Sequence, residues 1–489
     1  MSLIFATHRN RSSLARSAAL GHVRRVARGI YSDELDRTDE EVVAAHRWEI
    51  VAHVIPDAVI VDRSAASGGA PAGGTLFVAS QTRSRKVLLP GLSIAVRPGP
   101  RLPSDQMWTD GVVISSPART LIDNLALSRG RTNLARTLSR SELGDWVARQ
   151  ARLLGDQRLN RLRNEAREIA VALGVPGRAD EADELIGAAL GTRPAAGGSR
   201  ALAARAEGRG YDEDRVHRFE DIASQLVELV PGEELPASLP PAPNEAQSSL
   251  GFWEAYLSNH IEGTVFAVAQ AEQIIATGEP PRDRPADGHD ILGTHRVVTD
   301  SVERARVPRT AEELSDILLA RHAEILGGRP DQGPGRWKRE PNQAGSYVFV
   351  HPTLVEGTLA QGFLQRERLT SPFARALFMF YLVSEVHPFS DGNGRVARTL
   401  MNAELSHAGQ SRILIPIVWR NEYLSAIRQL SRQSNVLLYA RTLAFAWRWT
   451  ATMTWSDPVS TRLQLERTNA LVDSTEAAET GRRLLLLPT

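Results

Sequence analysis

The sequence predicts a multidomain chain in which a mainly α-helical unit is preceded by an α+β module. Three observations carry this prediction. The 489 residues suffice for two to four domains at roughly 100–200 residues each. Residues 1–130 hold short apolar runs punctuated by Gly, Pro and Ser, as strands separated by turns do. Residues 231–247, PGEELPASLPPAPNEAQ, read as a proline-rich linker, and beyond it apolar residues recur at helical spacing.

In the first module, Arg11 to Val26 is compatible with a helix. Strand-like runs follow at Ala58–Val61, Thr75–Val78, Lys86–Leu89, Leu92–Val96 and Gly111–Ile114. Ser116-Pro117 opens a helical stretch, with a capping hydroxyl followed by Pro at the first helical position. Residues 131–230 form a connector. Its first part, 131–175, is charged and helical, whereas 173–210 is rich in Gly, Ala, Arg and Pro and reads as a break. From 248 to 455 the pattern predicts helices over 248–261, 265–276, 291–305, 310–326, 353–366, 370–386, 393–408 and 420–450. Only Tyr347–Val350 suggests extended structure. Residues 456–489 form a polar tail.

Composition excludes several classes of chemistry. The chain has no cysteine, which removes disulfides, thiolate zinc sites and cysteine nucleophiles and fits a reducing, cytoplasmic setting. No apolar run reaches the 18 residues that a membrane span needs. The N-terminal MSLIFATHRNRSS is too short in apolar residues for a secretory leader. The formal net charge is +1. Lysine occurs only at Lys86 and Lys338, so any phosphate clamp is built from guanidinium groups, which grip phosphate oxygens bidentately.

The informative stretch is His387-Pro-Phe-Ser-Asp-Gly-Asn-Gly-Arg-Val-Ala-Arg398. An apolar helix ends at His387-Pro388, because Pro biases the preceding residue away from helix. Asp391-Gly-Asn-Gly394 is a tight turn that feeds a second helix. A Gly-rich turn at a helix N-terminus offers N–H groups and a favourable dipole to an anion. Arg395 and Arg398, at i and i+3, can face one ligand. Asp391 adds a carboxylate, and a carboxylate with phosphates is a usual way to hold Mg²⁺. His387 titrates near neutrality and suits a general base. Base, metal ligand, phosphate cradle and cationic clamp together make the kit for nucleotidyl or phosphoryl transfer.

This stretch matches, position for position, the signature HPFx[DE]GNGRxxR, and with its helical surroundings it resembles the Fic family of protein adenylyltransferases over about two-fifths of the chain. The resemblance implies transfer of AMP from Mg·ATP to a Ser, Thr or Tyr hydroxyl of a target protein. His387 would deprotonate the hydroxyl, Phe389 would anchor the loop and Asp391 would hold Mg²⁺. Gly392, Asn393 and Gly394 would cradle the α- and β-phosphates. Arg395 and Arg398 would clamp the β- and γ-phosphates.

Upstream, Ser258-Asn-His-Ile-Glu262-Gly263 resembles the family's inhibitory pattern [ST]xxxE[GN]. Ser258 and Glu262 share a helical face, and Glu262 would pair with Arg398 in place of a γ-phosphate. In some relatives this glutamate supports removal of AMP. The same stretch, His260-Ile-Glu262, resembles the H-x-E of zinc deaminases, but a chain without cysteine lacks the matching P-C-x-x-C. The resemblance further implies a β-hairpin flap around Tyr347, Val348, Phe349 and Val350 that docks the target by main-chain pairing. It places Tyr423 near the adenine pocket.

At the N-terminus, Leu20–Tyr31, Leu89-Pro-Gly-Leu92 and Ser116–Asp123 resemble AbiEi-type antitoxins and regulators, whose fold begins with a winged helix. That resemblance places Arg11, Arg16, Arg24, Arg25 and Arg28 on or near a recognition helix and wing, facing DNA or a protein partner. Residues 1–150 hold 20 Arg/Lys against 14 Asp/Glu, a modest excess compatible with phosphate contacts. Three alternatives stay open: removal of AMP, transfer of UMP or phosphate, and a DNA-binding regulator whose helical unit senses nucleotide.

Overall fold

The computed structural model describes residues 3–109, 111–128, 134–230, 232, 235, 238–240 and 249–487. The chain divides into two compact units, Met1–Gly208 and Arg209–Thr489.

The first unit opens with β1 (Leu3–Phe5), α1 (Arg11–Ala19), β2 (Arg24–Ala27) and β3 (Ile30–Ser32), and its strands pair antiparallel in the order β1-β3-β2. The helix expected to run to Val26 stops at Ala19. Gly21 turns the chain at φ +75°, and Val23 and Val26 are buried, Val26 as an inward-facing residue of β2. Helices α2 (Asp39–Ala45) and α3 (Arg47–Val54) follow, α2 opened by a reciprocal cap between Thr38 and Glu41. A six-stranded mixed sheet comes next. Its strands are β4 (Val59–Ile60), β5 (Thr75–Ser80), β6 (Arg85–Leu89), β7 (Leu92–Pro98), β8 (Gln106–Thr109) and β9 (Val112–Ile114), in the order β6-β7-β5-β4-β9-β8. The five strand-like runs of the sequence fall on β4, β5, β6, β7 and β9. Val42, Ile50, Ile60, Leu76 and Ile94 form its apolar core.

Helix α4 (Asp62–Ala66) lies between β4 and β5, and α5 (Pro117–Asn124) follows β9. A separate cluster joins α5 to α6 (Arg140–Ala172), α7 (Arg178–Ala189) and α8 (Arg200–Ala206). Residues 173–210, expected as a break, thus hold two helices. All of their glycines and prolines except Gly187 sit outside α7 and α8, and the alanines that dilute the periodicity are strong helix formers.

The second unit is helical. Its helices are α9 (Glu213–Leu229), α10 (Leu250–Ile261), α11 (Val268–Thr277), α12 (Pro285–Thr299), α13 (Ala311–Leu326), α14 (Val355–Phe363), α15 (Pro372–Val386), α16 (Asn393–His407), α17 (Arg420–Gln433), α18 (Val436–Thr452), α19 (Pro458–Arg467) and α20 (Ser474–Thr480). The stretch expected as one helix over 420–450 splits at Ser434, which sits at φ +53°. The tail beyond 456 contributes two helices, and its Leu465, Ala470 and Leu484 are buried with Trp253 and Trp455. A two-residue-per-strand hairpin, β10 (Gln343–Ala344) with β11 (Tyr347–Val348), interrupts the helices.

Helix α15 is apolar on all sides and lies in the middle of the core, as an all-round hydrophobic helix must. Helix α9, which the sequence pattern assigned to a connector over 131–230, packs on it. Phe219 is fully buried and meets Phe378 and Tyr381 edge-on, with ring centroids 6.3 and 5.8 Å away. A Cβ at Gly362 would collide with Leu382 and crowd Phe219, so α14 approaches both closely. Most of the 231–247 linker lies outside the described residues. Within it, Leu235 is buried in the same core. Just before that, Val230 and Leu226 also pack there.

Replacing Phe219 with Ala should destabilise the unit by about 3–5 kcal/mol, the usual cost of deleting a buried aromatic. Urea denaturation followed by tryptophan fluorescence measures this. A change below about 1 kcal/mol would place α9 outside the core.

Candidate active site

The site is built where α15 hands over to α16. His387 ends α15 in the left-handed conformation, φ +52°, which turns the chain out of the helix. Gly392 (φ +76°) starts α16. It must lack a Cβ, which would collide with Leu326. Between them the loop is pinned from several sides. The amide of Asn393 donates to Phe389 O and accepts from Phe389 N–H, both at 2.9 Å. Phe389 is fully buried and stacked on His322, centroids 3.8 Å apart. His322 accepts from Gly335 N–H at Nδ1 (3.0 Å) and so donates from Nε2 to Asp391 O (3.1 Å). Asn342 donates to Phe389 O at 2.9 Å. Lys338 N–H donates to Pro388 O at 2.9 Å.

Phe389 is thus held by its ring stack on His322 and by bonds to its backbone from Asn393 and Asn342. Asn393 differs: its side chain is spent on the loop, and only its backbone N–H is left at the helix start.

A cavity of about 460 Å³ opens above this turn, lined among others by His387, Gly394, Arg398, Glu262, Tyr347 and Phe349. The His387 Nδ1 donates to Ser384 O at 3.3 Å, leaving Nε2 with a lone pair. Burial lowers its imidazole to about 4, with Lys338 adding to the drop and the Ser384 bond, Glu262 and Asp391 opposing it. At neutral pH the ring is the neutral, proton-accepting form. Phe349 lies flat on it, centroids 3.8 Å apart and planes 8° off parallel.

Arg398 faces the cavity from the second turn of α16. Its Nε donates to Ser258 Oγ (2.9 Å), and its Nη2 to Ser258 O (2.9 Å) and Glu262 Oε1 (2.7 Å). The Glu262 carboxylate also covers the first turn of α16, since a Cβ at Gly394 would collide with it. Glu262 sits at the C-terminal end of α10, and Gly263 then leaves at φ +90°. Helix α10 is itself tied to α16 through Asn402, which donates to Glu254 at 2.7 Å. Ser258, Glu262, Gly394 and Arg398 thus form one cluster.

Arg395 departs from the expected clamp. It is not among the residues lining the cavity; it is buried and ion-paired with Asp290. It also reaches Asn259 Oδ1 (3.4 Å) and Asp391 Oδ2 (3.3 Å). Residues i and i+3 on α16 diverge here because Asp290 on α12 captures the first guanidinium.

Tyr423 lines the same cavity but is only 1% exposed, so little of its ring is open. Its hydroxyl lies 3.4 Å from the donating Arg398 Nη1. Burial pushes its phenol up to about 12, countered by Arg398.

The four flap residues divide. Tyr347 and Val348 form β11, Phe349 covers His387, and Val350 is buried in the core.

Within the turn from His387 to Gly394, Asp391 supplies the carboxylate that could serve a metal. Its side chain is 46% exposed, and Oδ1 accepts from Gly392 N–H at 2.6 Å. Among the described residues no group of three or more His, Cys, Asp or Glu could hold an ion. One carboxylate beside an anion cradle fits the mode in which Mg²⁺ takes its remaining ligands from phosphates and water.

His322, Asn342, Lys338, Asp290 and Asn259 carry no signal in the sequence. Each acts through tertiary contacts to the loop or to Arg395; Asn259 fills an unspecified position of the Ser258–Gly263 pattern, and the other four belong to no short motif.

A helical unit with a Gly-rich turn opening a helix, a neutral imidazole beside it and a buried guanidinium at the same cavity has the elements with which proteins bind phosphate groups. Residues 311–405 match the model of the Fic/DOC family. "Protein adenylyltransferase Fic" of Drosophila persimilis is 28% identical over 208 residues, 41% of this chain and 40% of the relative. The protein of that name from Drosophila ananassae is 29% identical over 236 residues, 46% of this chain and 45% of the relative. The chain thus spans less than half the length of these relatives. Among solved structures, "Fic-1 (aa134 - 508) from C. elegans" aligns with TM-score 0.35 and 19% identity over 70% of this chain and 94% of that one. A Fic domain-containing signaling protein from Bacteroides thetaiotaomicron aligns with TM-score 0.36 and 18% identity over 55% of this chain and 100% of that one.

Two buried imidazoles make the unit acid-sensitive. His387 and His322 are both lowered to about 4, chiefly by burial, against about 6.5 when unfolded. The unfolded chain therefore binds more protons between these values, and stability falls as pH drops from about 6.5 to 4. Urea midpoints across this range should decline in the parent and decline less steeply in His322→Asn. Equal slopes would remove His322 from the titration.

Proposed function

We propose that the chain transfers AMP from Mg·ATP to a hydroxyl of a target protein, and that Glu262 holds this activity in check. The observation that carries the reading is the Glu262 carboxylate lying on both Arg398 and the start of α16. That is where a phosphate of the donor would find its N–H groups and its guanidinium.

In the reaction the target hydroxyl loses its proton to Nε2 of His387, its oxygen attacks the α-phosphorus, the bond to the β-phosphate oxygen breaks, and pyrophosphate leaves. Asp391 would hold Mg²⁺, which neutralises phosphate charge when bound. The backbone N–H groups of Asn393 and Gly394 receive phosphate oxygens, and Arg398, once released from Glu262, binds the terminal phosphates. Arg395 supports the turn through Asp290 and Asp391 instead. The relatives named protein adenylyltransferase support the choice of AMP over UMP or phosphate. Removal of AMP from a modified protein would use the same Glu262.

Label transfer from α-³²P-ATP should be weak in the parent, strong in Glu262→Gly and absent in Glu262→Gly/His387→Ala. No label with Glu262→Gly, while ATP still binds, would overturn the reading. Transfer from γ-labelled ATP or from UTP would redirect it.

A second reading concerns the first unit. Residues 3–32 include six arginines and no acidic residue, and Arg11, Arg16, Arg25 and Arg28 are exposed on α1, β2 and the turn after it. Arg24 pairs with Asp39 at 3.2 Å. We propose that this winged-helix-like module contacts the backbone of duplex DNA. Binding of a random-sequence duplex should weaken with salt, and Arg25→Ala/Arg28→Ala should lower the log–log slope by about 0.9 for each phosphate that is no longer neutralised. Salt-independent binding, or none, leaves a protein partner for this face.

A further inference from the structure

The β10–β11 hairpin is held by a buried polar cluster that the transfer reading does not use. Its centre is Glu385, 1% exposed, on the last turn of α15 and two residues before His387. Three elements send it a group. Helix α9 sends Arg215, ion-paired with the carboxylate, and Arg218 at 2.9 Å. The hairpin sends the Tyr347 hydroxyl, which donates to Glu385 Oε1. Helix α17 sends Ser431 Oγ, which donates to Oε2 at 2.8 Å.

The same arginines also reach the hairpin directly. Arg218 Nη1 donates to Tyr347 OH at 2.7 Å, and Arg215 Nη2 donates to Val348 O at 2.7 Å. The Arg215 guanidinium lies over the Tyr347 ring, 4.7 Å from its centroid. A second tether works at the base of the hairpin, beside Val348. Phe349 N–H donates to Asn342 O at 3.1 Å, and the Asn342 amide holds Phe389 O and accepts from Lys338 Nζ at 2.6 Å.

Chemistry explains why this cluster must stay closed. A carboxylate buried on α15 needs its cations, and two guanidiniums at a half-buried surface need a carboxylate. The charges pair once α9 sits on α15, and the hairpin completes the cluster by bringing the Tyr347 hydroxyl to Glu385 and Arg218 and the Val348 carbonyl to Arg215. The hairpin itself has two residues in each strand and two exposed residues in β10, far below what a free hairpin needs to persist. Its geometry therefore comes from Tyr347, Val348 and Asn342.

We infer that Arg215, Arg218 and Glu385 are positioning residues that latch the hairpin through Tyr347 and thereby keep Phe349 on the face of His387. The inference rests on the transfer reading only for its effect on activity; the latch itself is a property of the fold. Helix α9 is then a part of the working site and not a spacer, although it lies about 160 residues before the motif in sequence.

The latch is tested in full-length chain by amide hydrogen exchange and, on the Glu262→Gly background, by α-³²P label transfer. The variants are Tyr347→Phe, which removes one hydroxyl, and Arg218→Ala, whose side chain is 29% exposed and is the less risky of the two arginines for folding. Both should speed exchange of the Val348 and Phe349 amides about ten-fold while amides of α15 keep their parental protection. Both should lower label transfer by about the same factor, and Tyr347→Trp, which cannot place a hydroxyl on Glu385, should not restore either. Unchanged exchange of the hairpin amides, or equal acceleration throughout α15, would overturn the latch. If the Glu262→Gly parent itself transfers no label, the transfer reading fails and the exchange data still decide the latch.

Discussion

Helices α15 and α16 meet at a turn whose backbone groups have lost their helical partners inside an apolar core. One side-chain amide, Asn393, supplies both a donor and an acceptor to Phe389 across that turn. His322 and Asn342 add the next bonds, to Asp391 O and Phe389 O. Buried backbone polar groups left without partners would cost about 1–3 kcal/mol each, so these side chains make the turn rigid as well as tolerable. The positions of His387, Gly394 and Arg398 all follow from it. A base on the last residue of one helix and an anion site on the first turn of the next can only be aligned if the residues between them do not move.

Charge placement is the second constraint. The site holds two arginines three residues apart, and the fold gives them opposite duties. Asp290, buried on α12, takes Arg395 out of the cavity, and Arg398 stays with Ser258 and Glu262. A buried guanidinium without a carboxylate is costly, so each arginine is paired. The difference lies in the partners. The side chain of Asp290 is fully buried, whereas that of Glu262 is 30% exposed. Glu262 can therefore be rehydrated when it gives way, and Asp290 cannot.

Much of this was legible in the sequence, for reasons that differ by element. The loop from His387 to Arg398 is contiguous and Ser258 and Glu262 lie one helical turn apart, so spacing places the members of each group together; that Glu262 meets Arg398, 136 residues away, was implied by the family resemblance alone. The helices of 248–455 were legible because long amphipathic or apolar runs repeat their period several times. Strands β1 to β3 have three or four residues each, too few for a period, and Arg11–Val26 consequently read as one helix. Helix α9 lay hidden for another reason. Its pattern is plainly helical, but nothing local says which core receives Phe219, and a proline-rich segment after it suggested a boundary that the packing does not respect. The fate of Arg395 was likewise set by an aspartate 105 residues away.

The burial of α9 also bears on how the chain is made. Arg218 meets Glu385 across 167 residues of sequence, and Phe219 emerges from the ribosome well before its neighbours Phe378 and Tyr381. At roughly 5–20 residues per second, the apolar face of α9 waits on the order of ten seconds or more for the helix that will cover it. Contacts of this range slow folding, because the loop must close before any of them forms. The second unit therefore completes its core late in synthesis, and during that interval the side of α9 that carries Phe219, Ile222 and Leu226 lacks the apolar cover that α15 later gives it.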